Sequence, residues 1–73
     1  MNIKFSRHAK RRAKLYKIQE DSIREIVRSL KLKEGKHEII EKVSGFKFPI
    51  KAVVVVENDT MTVITNYPLR KGI

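Results

Sequence analysis

Seventy-three residues suffice for one small domain and leave no length for a second core, which excludes a multidomain enzyme. Seventeen Lys and Arg against eight Asp and Glu give a formal charge of +9, and 41% hydrophobic residues allow a packed core, so the chain reads as globular and basic and not as a disordered polycation. With no Cys there is no disulfide framework or thiolate metal site, and no apolar stretch approaches the roughly 18–20 residues of a membrane span, so a cytoplasmic protein without membrane association is expected.

The charge is placed unevenly. Lys4, Arg7, Lys10, Arg11, Arg12, Lys14 and Lys17 precede the first acid, Glu20, and Arg70 and Lys71 close the chain, while the stretch between Ile18 and Tyr67 sums to zero. A field concentrated in this way attracts polyanions. Nucleic acid is the leading partner class and an acidic protein the second, against the plain alternative of a solvated basic helix face.

In chain order, Ile3 and Phe5 alternate with polar neighbours and suggest a short strand, after which Ser6 offers a hydroxyl to cap a helix over about residues 7–16. On that helix Ala9, Ala13 and Tyr16 share one face, and Arg7, Lys10, Arg11 and Lys14 share the other. His8 and Arg12, one turn apart, sit at the boundary. Gln19 to Ser22 open a second helix, carried by Ile23, Ile26, Val27 and Leu30 and ended by Gly35.

Three strand-like runs follow, residues 37–43, 46–57 and 60–67, joined by Ser44-Gly45 and Asn58-Asp59 as hairpin turns. Two-residue turns place Val56 across from Met61, Val54 from Val63, Ala52 from Thr65 and Ile50 from Tyr67. They also place Glu38 across from Lys51, His37 from Ala52 and Lys42 from Lys47. The helices then cover the face that carries Ile39, Phe48 and those inward residues. Lys47, Lys51, Val53, Val55, Thr62, Ile64 and Asn66 occupy the other face, which is expected to be covered by a partner or ligand. The expectation is one α+β domain over residues 1–73, ordered β-α-α-β-β-β, with two N-terminal helices on one face of a small antiparallel sheet and a mobile tail over 68–73.

Phe5-Ser6-Arg7-His8-Ala9 followed by Arg12, then Ile18 before a capped helix and a late Val63-Ile64-Thr65-x-Tyr67 strand, resembles a branch of small prokaryotic domains opening with a His-Ala-x-x-Arg element. That branch is similar to the RelE/ParE-like toxin superfamily, and the resemblance runs over nearly the whole chain. It implies a toxin of a toxin-antitoxin pair that interacts with RNA, with an acidic antitoxin as partner. Ribosome-dependent messenger-RNA endonucleases of the superfamily work without a metal, using basic residues of the uncovered sheet face with a late Arg and Tyr; other members poison gyrase. Carried over residue by residue, Lys47, Lys51, Tyr67 and Arg70 are the catalytic candidates. In-line cleavage needs a base for the 2′-hydroxyl, cations for the pentavalent phosphate and an acid for the 5′-oxygen.

Each candidate also has a structural reading. Lys51 can pair with Glu38, Tyr67 can be a half-buried sheet aromatic, Lys47 faces a like charge, and Arg70 belongs to a tail with little to pack against. Arg7, His8, Lys10, Arg11, Arg12, Lys14 and Lys71 are the candidate nucleic-acid contacts; Arg12 has a fork suited to a phosphate and His8 an imidazole suited to proton transfer near neutrality. His8 and Arg12 can equally tie the helix to the sheet. Neither a cofactor nor a metal is expected, because two isolated histidines and three scattered glycines build no ligand set and no phosphate loop. Three functions stay open: a toxin-like RNA-interacting protein or RNase, a non-catalytic nucleic-acid-binding module, and an interaction domain that dimerises through its sheet face.

Overall fold

Ser6 joins the first strand to the first helix and shows how this short chain is organised. In the computed structural model, which describes residues 2–69, its extended backbone ends β1 (Asn2–Phe5) and its Oγ accepts a hydrogen bond from the Ala9 amide at 3.0 Å, capping α1 (Arg7–Tyr16). Lys17 closes that helix in the left-handed region, with φ 59°, and the Ile18 amide reaches back to the Ala13 carbonyl at 2.8 Å. Glu20 and Asp21 then lie in the first turn of α2 (Glu20–Arg28), where the positive end of the helix dipole favours them. Helix α2 stops at Arg28, seven residues before Gly35: Ser29 caps it and donates its hydroxyl to the Ile26 carbonyl at 2.9 Å. Leu30 and Leu32 are half-buried in the connection beyond, so their apolar character reflects packing of a linker and not continued helix.

The three remaining strands are β2 (Gly35–Glu41), β3 (Ile50–Glu57) and β4 (Thr60–Pro68), and the sheet order is β1-β4-β3-β2. Strands β2, β3 and β4 form the expected antiparallel meander, but β1 pairs with β4 in parallel, so the sheet is mixed and not wholly antiparallel. A parallel neighbour needs a long crossover, which the two helices and the two intervening strands supply. Both helices pack on one face. Ala9 and Ala13 of α1 and Ile23 and Val27 of α2 are buried against Phe5, Ile39, Ile50, Ala52, Val54, Val56, Met61 and Val63. Each fully buried Ile or Val contributes roughly 1.5–3 kcal/mol, whereas the two alanines contribute little area but let α1 approach β4 closely. The Arg24 guanidinium, 4.9 Å over the Phe5 ring and 3.3 Å from Glu20 and Asp21, fastens α2 to the first strand.

Two features of the meander depart from regular hairpins. Residues 42–49 form a loop where strand was expected on both sides of Ser44-Gly45. Pro49 has no amide to donate to a ladder, and Lys42 and Lys47 would face each other, so pairing stops at Glu41 and Ile50. The β2-β3 register is displaced by two residues from the expected one: Lys51 pairs with Ile40, Val53 with Glu38 and Val54 with His37. A shift of two preserves which side chains face the helices.

The second departure changes facing. The Asn58-Asp59 turn forms with both residues at positive φ, and Val56–Met61 and Val54–Val63 pair as expected, but a β-bulge lies between the Val54 and Val53 positions. Ile64 is the extra residue. Beyond it Ala52 pairs with Asn66, Lys51 with Tyr67 and Ile50 with Pro68, so the expected Ala52–Thr65 and Ile50–Tyr67 pairs do not exist. The cause lies at the start of α1: the Ser6 amide donates to the Val63 carbonyl at 2.9 Å and the Ser6 hydroxyl to the Ile64 carbonyl at 2.8 Å. Two successive carbonyls of β4 are thereby held to one residue. Ile64 and Thr65 both turn to the uncovered side, and Asn66 is buried in place of Thr65.

Candidate functional site

The basic candidates of α1 stand on the side of the molecule away from the sheet. Arg7, Lys10, Arg11, Lys14 and Lys17 are exposed, as is His8, and Arg12 is half-buried. Ten residues at about 1.5 Å rise make this helix about 15 Å long, enough to run beside roughly four phosphates of one strand. Among the described residues, none of the α1 cations forms an ion pair; the three ion pairs present belong to Arg24 and Lys51. The Arg12 Nε donates to the His8 Nε2 at 3.4 Å, so these two side chains pair with each other and tie the helix to nothing in the sheet. That tie is made instead by Asn66, whose Nδ2 donates to the Ala9 carbonyl at 3.2 Å from a fully buried position.

A crevice of about 550 Å³ separates α1 from the start of α2, with Lys10 and Lys14 on one wall and Glu20 and Asp21 on the other. The carboxylates oppose any anion that would enter it. The basic surface is therefore the outward ridge of α1, where Leu15, 64% exposed, is an apolar residue among cations.

The uncovered face of the sheet has a different chemistry. The bulge brings Tyr67 onto this face beside Lys51, contrary to the expectation that Tyr67 faces the helices, and Asn66 leaves the face for the interior. Lys51 Nζ lies 2.7 Å from the Glu38 carboxylate, a diagonal contact, since Glu38 is paired with Val53. The hydrogen bond to Glu38 holds the Lys51 ammonium above the ordinary lysine range, against an opposing effect of burial; the charge of Glu38 and then Tyr67 add smaller contributions in the same direction. The Glu38 carboxyl is held below its usual range by that hydrogen bond and the Lys51 charge, with Lys36 adding to it. Around this group lie half-buried Val53, Val55 and Ile64, and Ile40, which is 55% exposed.

The catalytic candidates are thus only partly brought together. Lys51 and Tyr67 are neighbours. Lys47 sits in the 42–49 loop, its ammonium 5.7 Å over the Phe48 ring, and Phe48 is a half-buried loop residue outside the covered face. Arg70 and Lys71 lie outside the described residues. His37, at the Val54 position on the covered face, bonds to the Lys33 carbonyl at 2.6 Å through Nε2. The Lys51–Tyr67 pair supplies a cation and a phenol, and its one carboxylate, Glu38, is held ionised and neutralised by Lys51, which makes it a poor proton acceptor. Among the described residues no three His, Asp or Glu side chains converge in a way that could hold a metal ion, and no helix is long and apolar enough to cross a membrane.

The residue that sequence reasoning missed is Asn66. Its signal was available only as Ser6, whose two bonds to β4 shift the facing of everything after Val63. Comparison of the chain with protein-family models, with curated proteins and with solved structures gave no match.

Proposed function

We propose that this protein is an RNA-interacting domain of the toxin-like kind that holds the RNA backbone on the outward ridge of α1. The observation that carries the proposal is the contrast in pairing: Arg7, Lys10, Arg11, Lys14 and Lys17 are exposed with no carboxylate partner among the described residues, whereas Lys51 on the sheet is neutralised by Glu38. Unpaired cations in a row gain by releasing counterions from a polyphosphate, and a neutralised lysine gains little. The resemblance of Ser6-Arg7-His8-Ala9 and Arg12 to the toxin-like branch favours RNA as the polyanion. Titration of single-stranded RNA with wild-type protein, with Arg7→Gln/Arg11→Gln/Lys14→Gln and with Lys51→Ala tests this. The triple variant loses most of the affinity and Lys51→Ala keeps it; the reverse pattern overturns the proposal.

One observation favours a second reading, a metal-independent RNase on the uncovered face. The bulge at Ile64 sets Tyr67 next to Lys51, where a cation can neutralise a phosphate and a phenol can protonate a leaving oxygen. Cleavage of messenger RNA on translating ribosomes, abolished by Tyr67→Phe, supports this reading; intact RNA with the wild-type protein removes it and leaves binding through α1.

A further inference from the structure

We infer that the uncovered face of the sheet is a self-association surface, occupied by a second copy of this chain. Its apolar groups are Val53 and Val55 along β3, the bulged Ile64 on β4 and Ile40 on β2, with the Lys51–Tyr67 pair beside them. Its charges nearly balance, Lys4, Lys36 and Lys51 standing against Glu38 and Glu57. Helix α1 and Lys17 carry six cations and no acid, so a second copy approaching α1 meets stronger repulsion than one approaching the sheet. RNA has the opposite preference. A near-neutral face attracts it weakly, and an apolar strip offers its phosphates nothing.

The dimensions fit. Three strands about 4.8 Å apart and about 25 Å long, with the four-residue β1 at one edge, make a face that would bury roughly 1,000 Å² over both copies, near the lower bound of stable dimers. A two-fold axis along the strands, between β3 and β4, stacks β3 of each copy on β4 of the other. Val53 then meets Thr65 of the second copy beside the bulged Ile64, and Lys51 meets its Tyr67 ring, so one arrangement places both aliphatic and cationic groups. Lys4 and Lys36 come opposite one another only at the outer strands, where solvent screens them. Two sheets stacked about 10 Å apart, each with its helices outside, keep the α1 ridges on the order of 30 Å apart, several Debye lengths at about 0.15 M salt. The inference does not depend on the nucleic-acid reading, because it uses no residue of α1.

Sedimentation velocity on the full chain, from low micromolar to about 200 µM protein, tests it. The expected result is a dimer that grows with concentration and changes little between about 0.15 and about 0.5 M NaCl, because the face is nearly neutral and the α1 ridges are already screened from one another. Val53→Arg should raise the dissociation constant at least tenfold. Ile40→Asp, at a position exposed enough to leave folding intact, should do the same, with circular dichroism confirming the fold of both. A wild-type chain that stays monomeric throughout overturns the inference, as does a dimer that survives both substitutions. RNA binding that is lost in Lys51→Ala would also count against it, since the face would then be occupied by RNA.

Discussion

The ridge of α1 and the uncovered face of the sheet both contain lysines, but on the ridge every cation lacks an ion-pair partner among the described residues, whereas at the centre of the sheet Lys51 has one. On the sheet, Lys51 is drawn to Glu38 at 2.7 Å and surrounded by aliphatic side chains. On the ridge, no acid lies within the helix at all, and the first carboxylates, Glu20 and Asp21, are engaged by Arg24. The difference shows that counting cations on a face is a poor guide to what the face binds. What decides is whether each cation already has a counter-charge, since a neutralised pair neither releases counterions nor attracts a polyanion.

Several substitutions sharpen that contrast, beginning with the largest effect. Arg7→Gln/Arg11→Gln/Lys14→Gln removes three unpaired charges and should weaken binding of single-stranded RNA about a hundredfold at about 0.1 M salt, read by fluorescence anisotropy, with little change in thermal stability. Ser6→Ala removes both the cap of α1 and the bond to the Ile64 carbonyl, and should destabilise the fold by about 1–2 kcal/mol in urea denaturation. It acts on both surfaces, because Ser6 fixes the helix and the bulge together. Lys17→Gly relieves a left-handed residue and should stabilise the fold by about 0.5–1 kcal/mol while weakening RNA binding a few-fold, which separates the two properties in one substitution.

The smallest effect belongs to Glu38→Gln. Because the Glu38 pKa is lowered on folding, its contribution to stability is present above the ordinary carboxylate range and disappears as pH falls through the lowered value. The Lys51 pKa is raised, so its contribution is present below the ordinary lysine range and disappears as pH rises through the raised value. Stability measured against pH should therefore lose a small acid-side and a small alkaline-side dependence in Glu38→Gln, while RNA affinity does not fall and rises slightly as Lys51 loses its counter-charge.

Much of the fold could be read from the sequence because it depends on local chemistry. Ser6, the alternation of Ala9 and Ala13 with cations, the acids at the start of α2 and the Asn58-Asp59 turn each determine their surroundings within a few residues. The two-residue shift of β2 and the early end of α2 were less accessible, because Pro49 and Leu30 act through pairing and packing with distant parts of the chain. The facing of β4 was not legible at all. Val63-Ile64-Thr65-Asn66-Tyr67 reads as plain alternation, and only the hold of Ser6 on two successive carbonyls, 57 and 58 residues away in sequence, inserts the bulge. That one residue decides whether Tyr67 meets Lys51 or the helices, and whether a polar Asn66 is buried under α1. The basic ridge, by contrast, was evident from the run of seven cations before Glu20, while the absence of partners for it required the positions of all the described acids.

The salt dependence of RNA binding tests the central claim most directly. If the ridge of α1 holds about four phosphates, log affinity should fall with log salt at a slope near −3 for single-stranded RNA, dropping to about −1 in Arg7→Gln/Arg11→Gln/Lys14→Gln and staying near −3 in Lys51→Ala. A slope that is flat in the wild type, or that survives the triple substitution and collapses in Lys51→Ala, would contradict it.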